Sequence, residues 1–418
     1  GGCGVNNACF AQPGYDEVTG RGSPFIPALT ADMAGVGTPA LEGNLATQAP
    51  TRVLDTRGTI GGHQGAMQPN ETFGLNLPSP AAGGAAVVVN VGVTNTATDG
   101  FALVYPCGQP RPFASTVNFH AGQTTAVLTQ VQIGAGCMNV FMHGGPADVF
   151  IDLGGSYSAS RTGSSGLYNP RSTPVRAMDT RIGQGHAGPF QPNEGAPLTV
   201  AGNFGISAEP SAVVLNLTGV MNTAITYLSV YPAVSGSTPC PANHTSSNLN
   251  LAAGQVRANR VIVQVGDSGR ICIYNLAGTV DVVIDLAGWY SGGVSPDTTG
   301  LLFSPWSPVR VYDSRLAAPL GPGTTPCPSA DFVLPVPPAV NAVSMNLTGL
   351  DATTGTYIES FPTNQAPSPP TSDINFGPGD IQPNLVITRV DPGTQSITIC
   401  NFAGTIDFLS DVNGVYRS

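Results

Sequence analysis

Three copies of one charged motif, R-x-x-D-[ST]-R, are the residues of this chain best suited to chemistry: RVLDTR at 52–57, RAMDTR at 176–181 and RVYDSR at 310–315. A carboxylate between two guanidiniums can orient a ligand, hold a cation or close an internal ion pair. Side chains alternate along a strand, so Asp55 and Arg57 are expected on one face. A second acidic landmark ends each repeat: DVFIDLGGSY (148–157), DVVIDLAGWY (281–290) and DFLSDVNGVY (407–416). It supplies Asp152, Asp285 and Asp411. The expectation is structural: first and last strands of each unit lie side by side, with Arg57, Arg181 and Arg315 bridging Asp152, Asp285 and Asp411. Catalysis at a site used three times over would be unusual. A repeated ligand or calcium site is the alternative.

Other candidates are weaker. GQGHAG at 183–188 satisfies G-x-G-x-x-G, but it runs into PFQPN with no helix to aim at a phosphate, so a turn is expected. Histidines 63, 120, 143, 186 and 244 are scattered without metal-ligand spacing. Sequons occur at Asn70, Asn216, Asn243 and Asn346. Asn216 and Asn346 hold the same place in an apolar strand, where an amide satisfies backbone groups. The two tryptophans, Trp289 and Trp306, make no visible sugar-binding platform, although edge tyrosines could contribute.

The elements that must position these residues come in three repeats. Between the two acidic landmarks lie an apolar strand with a central asparagine (Asn90, Asn216, Asn346) and an N-[FL]-x-x-G turn (NFHAG, NLAAG, NFGPG). All four landmarks recur in the same order, which divides the chain into 1–41, an N-terminal segment, and repeats at 42–158, 166–292 and 300–418. Within a repeat, period-2 patterns such as FALVYP, TYLSVYP and NRVIVQVG are broken every 8–12 residues by turn residues. The expected fold is all-β: three tandem antiparallel β-sandwich or barrel-like domains of about 115–125 residues. A parallel β-helix would show a much shorter period.

Cys137, Cys272 and Cys400 fall on one segment, two residues apart when aligned, hence on one strand face. The pairing expected is Cys107–Cys137, Cys240–Cys272 and Cys327–Cys400, with Cys3–Cys9 stapling the N-terminal segment. Eight dispersed cysteines without a CxxC suit disulfides in an oxidising compartment. All 15 basic residues are arginine and the net charge is −10, which argues against a nucleic-acid partner. No run of 18 apolar residues exists for a transmembrane helix. With neither an initiator methionine nor a signal peptide, the chain is expected to be part of a longer secreted precursor.

Residues 1–30, through Gly14, Tyr15, Asp16, Thr19, Gly20, Gly22 and Pro24, resemble the C-terminal end of the sedolisin family of serine-carboxyl peptidases. The resemblance implies calcium ligands at the Asp16 carboxylate and the Gly14 and Gln12 carbonyls, and it implies that the family's catalytic residues would lie upstream. The repeats resemble tandem units appended to secreted actinobacterial hydrolases and wall proteins, which implies a location and no mechanism.

The function expected is therefore a secreted, non-catalytic structural or attachment array at the cell surface. It would self-associate into a fibre or layer, or bind a wall or surface polymer. One alternative is the targeting region of a secreted sedolisin-like peptidase; another is a carbohydrate-binding module. No cofactor is expected beyond calcium at the N-terminal loop.

Overall fold

A computed structural model describes residues 41–234, 240–242, 246–293, 300–323, 332–368 and 370–418. These residues form 24 strands and four short 3-10 turns. Repeat 1 supplies β1 (Leu45–Asp55), β2 (Thr72–Asn76), β3 (Ala86–Thr94), β4 (Gly100–Pro106), β5 (Val117–Phe119), β6 (Thr125–Gln132), β7 (Cys137–His143) and β8 (Asp148–Tyr157). Repeat 2 supplies β9 (Tyr168–Asp179), β10 (Glu194–Thr199), β11 (Pro210–Val220), β12 (Thr226–Pro232), β13 (Leu249–Leu251), β14 (Arg257–Gln264), β15 (Arg270–Asn275) and β16 (Asp281–Ser291). Repeat 3 supplies β17 (Leu302–Asp313), β18 (Phe332–Pro335), β19 (Ala342–Leu350), β20 (Thr356–Pro362), β21 (Ile374–Phe376), β22 (Gln382–Arg389), β23 (Ser396–Asn401) and β24 (Asp407–Arg417).

Each repeat folds into two four-stranded antiparallel sheets. In repeat 1 their orders are β1-β8-β3-β6 and β2-β7-β4-β5, and repeats 2 and 3 reproduce both. Alternate residues of the two sheets meet in a core, which in repeat 1 includes Val89, Val91, Val104, Val140 and Ile151. Repeats 2 and 3 hold equivalent cores.

The first sheet of each repeat is apolar on its other face as well. Eight of the nine residues of β3 are buried, the reading expected of a strand covered on both sides. Those outer faces meet in a shared central cluster containing Val88 and Tyr157 from repeat 1, Val214 and Tyr290 from repeat 2, and Phe303, Ile387 and Tyr416 from repeat 3. Around this centre the sheets follow one another in a closed cycle. Strand β6 touches β13 of the next repeat, β14 touches β21, and β22 returns to β5.

Three tandem sandwich or barrel-like domains are therefore not the architecture. Six four-stranded sheets follow one another in a six-bladed β-propeller arrangement, with the first sheet of each repeat lining the central cluster. Its blades interleave strands in the order 1-8-3-6 or 2-7-4-5 of a repeat, where an ordinary propeller blade is a meander of consecutive strands. The physical reason for the correction is the second apolar face, which one repeat cannot cover alone.

Candidate functional site

The charged motif lies where β1 meets β8. Arg52 sits directly opposite Asp152 in the ladder, next to a register shift between Arg52 and Leu54. Its Nε donates to Asp152 Oδ1 at 2.5 Å, its Nη2 to Oδ2 at 3.2 Å, and its Nη1 to Asp55 Oδ2 at 2.7 Å. Arg57 donates to both Asp55 oxygens, at 2.8 and 2.6 Å. Thr56 Oγ1 donates to Asp148 at 2.8 Å, which accounts for the hydroxyl in the motif.

The knot recurs. Arg176 binds Asp285 at 2.8 and 3.0 Å while Arg181 binds Asp179 at 2.8 and 2.6 Å. Arg310 binds Asp411 at 2.6 and 2.9 Å while Arg315 binds Asp313 at 2.9 and 2.7 Å. The bridges expected from Arg57, Arg181 and Arg315 to Asp152, Asp285 and Asp411 are thus corrected: the first arginine of each motif makes them. The strand stops at the motif aspartate, whose carboxylate accepts the N–H two residues on, at 3.2 Å for Arg57. In repeats 2 and 3 this turn is a 3-10 turn, Thr180–Ile182 and Ser314–Leu316.

These contacts set the carboxyl groups apart. The Arg57 guanidinium holds Asp55 down at about 2. Burial pushes Asp152, Asp285 and Asp411 above the usual carboxylate range, against the pull of their arginines. Every oxygen of these aspartate pairs is engaged by a guanidinium. Among the described residues no group of three His, Cys, Asp or Glu side chains is placed to hold a metal ion.

The central asparagines stitch the repeats together. At the seam between repeats 1 and 2, Asn90 Nδ2 donates to Ser247 O at 2.7 Å. Asn259 there donates to Asn90 Oδ1 at 3.2 Å and accepts from Leu128 N at 3.1 Å. At seam 2–3, Asn216 donates to Ser372 O at 2.6 Å, and Asn384 donates to Asn216 Oδ1 at 3.0 Å. At seam 3–1, Asn346 donates to Ser115 O at 2.7 Å, but Val127 stands where the other seams have Asn259 and Asn384. Asn346 Oδ1 is left without a partner. Asn216 and Asn346 are 2% and 3% exposed, so the folded ring offers neither sequon for glycosylation.

Seam 2–3 also buries charge. Arg260, 2% exposed, reaches Asp373 at 2.6 Å, and Asp373 accepts from Ser360 N at 2.7 Å. Beside it Glu359 Oε1 accepts from Thr371 N and Oγ1, both at 2.6 Å. Burial, with Asp373 and Asp285 nearby, pushes Glu359 up to about 7.

On the axis the hydroxyls of Tyr157, Tyr290 and Tyr416 form a triangle with sides of 2.7, 2.7 and 3.2 Å. Gln130 donates to Tyr157 and, at 2.6 Å, to Tyr416, while Ser344 donates to Gln130 Oε1 at 2.6 Å.

The surface opens beside the first charged knot. A groove of about 260 Å³ runs along seam 1–2, lined by Arg52, Arg57, Thr94, Thr124 and Phe150 on one side. Tyr227, Ser246, Ser247 and Asn250 line the other. The R-x-x-D-[ST]-R motif of one repeat thereby faces the N-[FL]-x-x-G turn of the next.

Cys107 is bonded to Cys137 and Cys240 to Cys272, with Cα separations of 5.7 and 5.8 Å. Cys400 is disulfide-bonded, and Cys327 lies outside the described residues. Cys3, Cys9, Gln12, Gly14, Asp16 and the N-terminal segment also lie outside them. In GQGHAG, Gly183, Gly185 and Gly188 all have φ between 72° and 79°, so the glycines serve turns. Sequence reasoning missed the seams and the axis. The available signals were a tyrosine ending all three closing landmarks and an asparagine inside each apolar strand.

No protein-family model and no curated protein matches the chain. Among solved structures, the N-terminal CBM22-1–CBM22-2 tandem domain of Paenibacillus barcinonensis Xyn10C covers 62% of this chain and 100% of its own, at 13% identity and a TM-score of 0.18. The structure of Sulfolobus Turreted Icosahedral Virus covers 88% and 92%, at 9% identity and a TM-score of 0.17. Scores this low carry neither fold nor function to this chain.

Proposed function

We propose that this chain is a non-catalytic module of a secreted protein, a rigid all-β ring that attaches through its surface. The observation that carries this reading is the fate of the charged motif. In all three repeats its carboxylates are held by guanidiniums and hold neighbouring strands, which leaves them poorly placed as nucleophile, base or metal ligand. Disulfides, together with the absence among the described residues of a helix long and apolar enough to cross a membrane, are consistent with secretion.

Attachment by a discrete ring is favoured over growth of a fibre by edge pairing. Strands β6, β14 and β22, each at a sheet edge, are covered by the next repeat. The outer edges β10 and β18 carry Pro197 and Pro335, which lack the N–H an added strand would need. The test is co-sedimentation of the purified chain with insoluble cell-wall polymer, run beside hydrolysis assays on protein and glycan substrates. Retention on the polymer without turnover is expected. Turnover that disappears in Asp152→Asn or Asp285→Asn overturns the reading.

A further inference from the structure

The groove at seam 1–2 is a concavity beside the first charged knot, and its chemistry is specific. Its guanidiniums, Arg52 and Arg57, are matched by Asp55 and Asp152, so it offers little net charge to an ion. Hydroxyls and an amide dominate what remains. Thr94 and Thr124 share a hydrogen bond of 2.7 Å, and Ser247 and Asn250 lie 3.4 Å apart across from them. Arg57 is 47% exposed and uses Nε and Nη2 internally, keeping Nη1 for a further acceptor. Tyr227 adds a half-buried aromatic ring.

The repeat 1 wall is closely packed. Phe150 packs so closely on Gly92 that a Cβ there would come within 2.0 Å of the ring. Arg52 and Arg57 lie 4.8 and 5.5 Å from the same ring. A wall packed in this way loses little ordering entropy when a ligand arrives.

We propose that this groove is a subsite for a neutral polyhydroxylated ligand, a short stretch of a glycan. The inference rests on the attachment reading and names what one part of the ring attaches to. Paired hydroxyls, an amide and a guanidinium beside an aromatic ring match the alternating hydroxyls and C–H faces of a sugar. The groove is slightly smaller than typical small-ligand pockets of about 300–1,000 Å³, which suits a chain read one or two rings at a time.

Among the described residues, the repeat 1 wall of this site is not reproduced in the other repeats. Where repeat 1 has Thr94, Thr124 and Phe150, repeat 2 has Val220, Val256 and Val283, and repeat 3 has Leu350, Ile381 and Leu409. At seam 3–1 the exposed Phe113 also lies over Arg310, 5.2 Å from its guanidinium carbon.

Two variants test this on the full chain: Thr94→Val/Thr124→Val, which copies the repeat 2 residues, and Tyr227→Ala. Affinity electrophoresis and calorimetry use soluble xylan, β-glucan, dextran and arabinogalactan, with dextran sulfate as the charged control. Retardation of the unmodified chain by at least one neutral polysaccharide is expected, with binding weakened about tenfold or more in both variants. Melting of the valine variant should not change, and dextran sulfate should bind no better than dextran. Equal binding by the valine variant removes the groove and leaves attachment standing. Retention on cell walls without binding to any soluble glycan does the same. Preference for dextran sulfate removes the neutral-glycan assignment, and binding to nothing removes both readings.

Discussion

Seam 2–3 and seam 3–1 use equivalent positions with opposite chemistry. Across seam 2–3 a buried Arg260 meets Asp373. Across seam 3–1 the same positions hold Leu385 and Thr116, and Thr116 Oγ1 accepts from Val104 N just as Asp373 accepts from Ser360 N. Seam 2–3 also has the asparagine pair Asn216–Asn384, whereas Asn346 faces Val127 at seam 3–1. The same packing geometry therefore tolerates an ion pair or an apolar contact. What the ion pair contributes is less net stability than dependence on its partner.

The comparison breaks hardest at Arg260. Arg260→Leu leaves Asp373 buried without its cation and should cost about 3–5 kcal/mol in chemical denaturation. Arg260→Leu/Asp373→Thr rebuilds the pair already present at seam 3–1 and should recover most of that loss. A double variant no more stable than the single one would show that the seams are not interchangeable.

Next in size is a pH effect confined to seam 2–3. Glu359 has an ordinary value of 4.5 and is raised to about 7 in the fold. Between those values the native chain keeps a proton that the unfolded chain releases, so stability falls as pH rises across that window and stays lost above it. At about 1.4 kcal/mol per unit, the loss should be about 3–4 kcal/mol. Melting followed from pH 4 to pH 8.5 should show a steeper decline for the unmodified chain than for Glu359→Gln; parallel curves would remove Glu359 as the source.

A smaller contrast separates the asparagines. Asn216 and Asn346 each donate two bonds, but Asn216→Ala also takes from Asn384 one of the two acceptors of its amide, whereas Asn346 already lacks a partner for its carbonyl. The first substitution should cost about 1 kcal/mol more than Asn346→Ala. Smallest of all, Thr94→Val/Thr124→Val should stay within about 0.5 kcal/mol of the unmodified chain.

Much of the local order was legible in the sequence. Alternating patterns mark the strands, and the four landmarks sit at equivalent places in all three repeats. Strand periodicity was the wrong guide to the charged motif, because D-[ST]-R is a turn signal: Asp55 accepts from its own chain two residues on and turns Arg57 away from Asp152. The ring was hidden for a different reason. An alternating pattern reports one buried face, and near-continuous runs such as AVVVNVGVT say only that a second face is covered. Contact order supplies what pattern cannot: Asn90 finds Ser247 across 157 residues of chain. The groove was harder still, since its two walls belong to different repeats and its distinguishing residues, Thr94 and Thr124, are ordinary strand and loop threonines.

Gln130 occupies the axis from one side only; Ile262 and Ile387 hold its place in the other repeats. Three separate copies of a single repeat would have to bring three glutamines, or three isoleucines, to that point. Joining the repeats covalently lifts this restriction and lets one odd residue orient the tyrosine hydroxyls. It also removes concentration from the problem: the ring closes within one molecule, so dilution cannot take it apart and its unfolding is a first-order event.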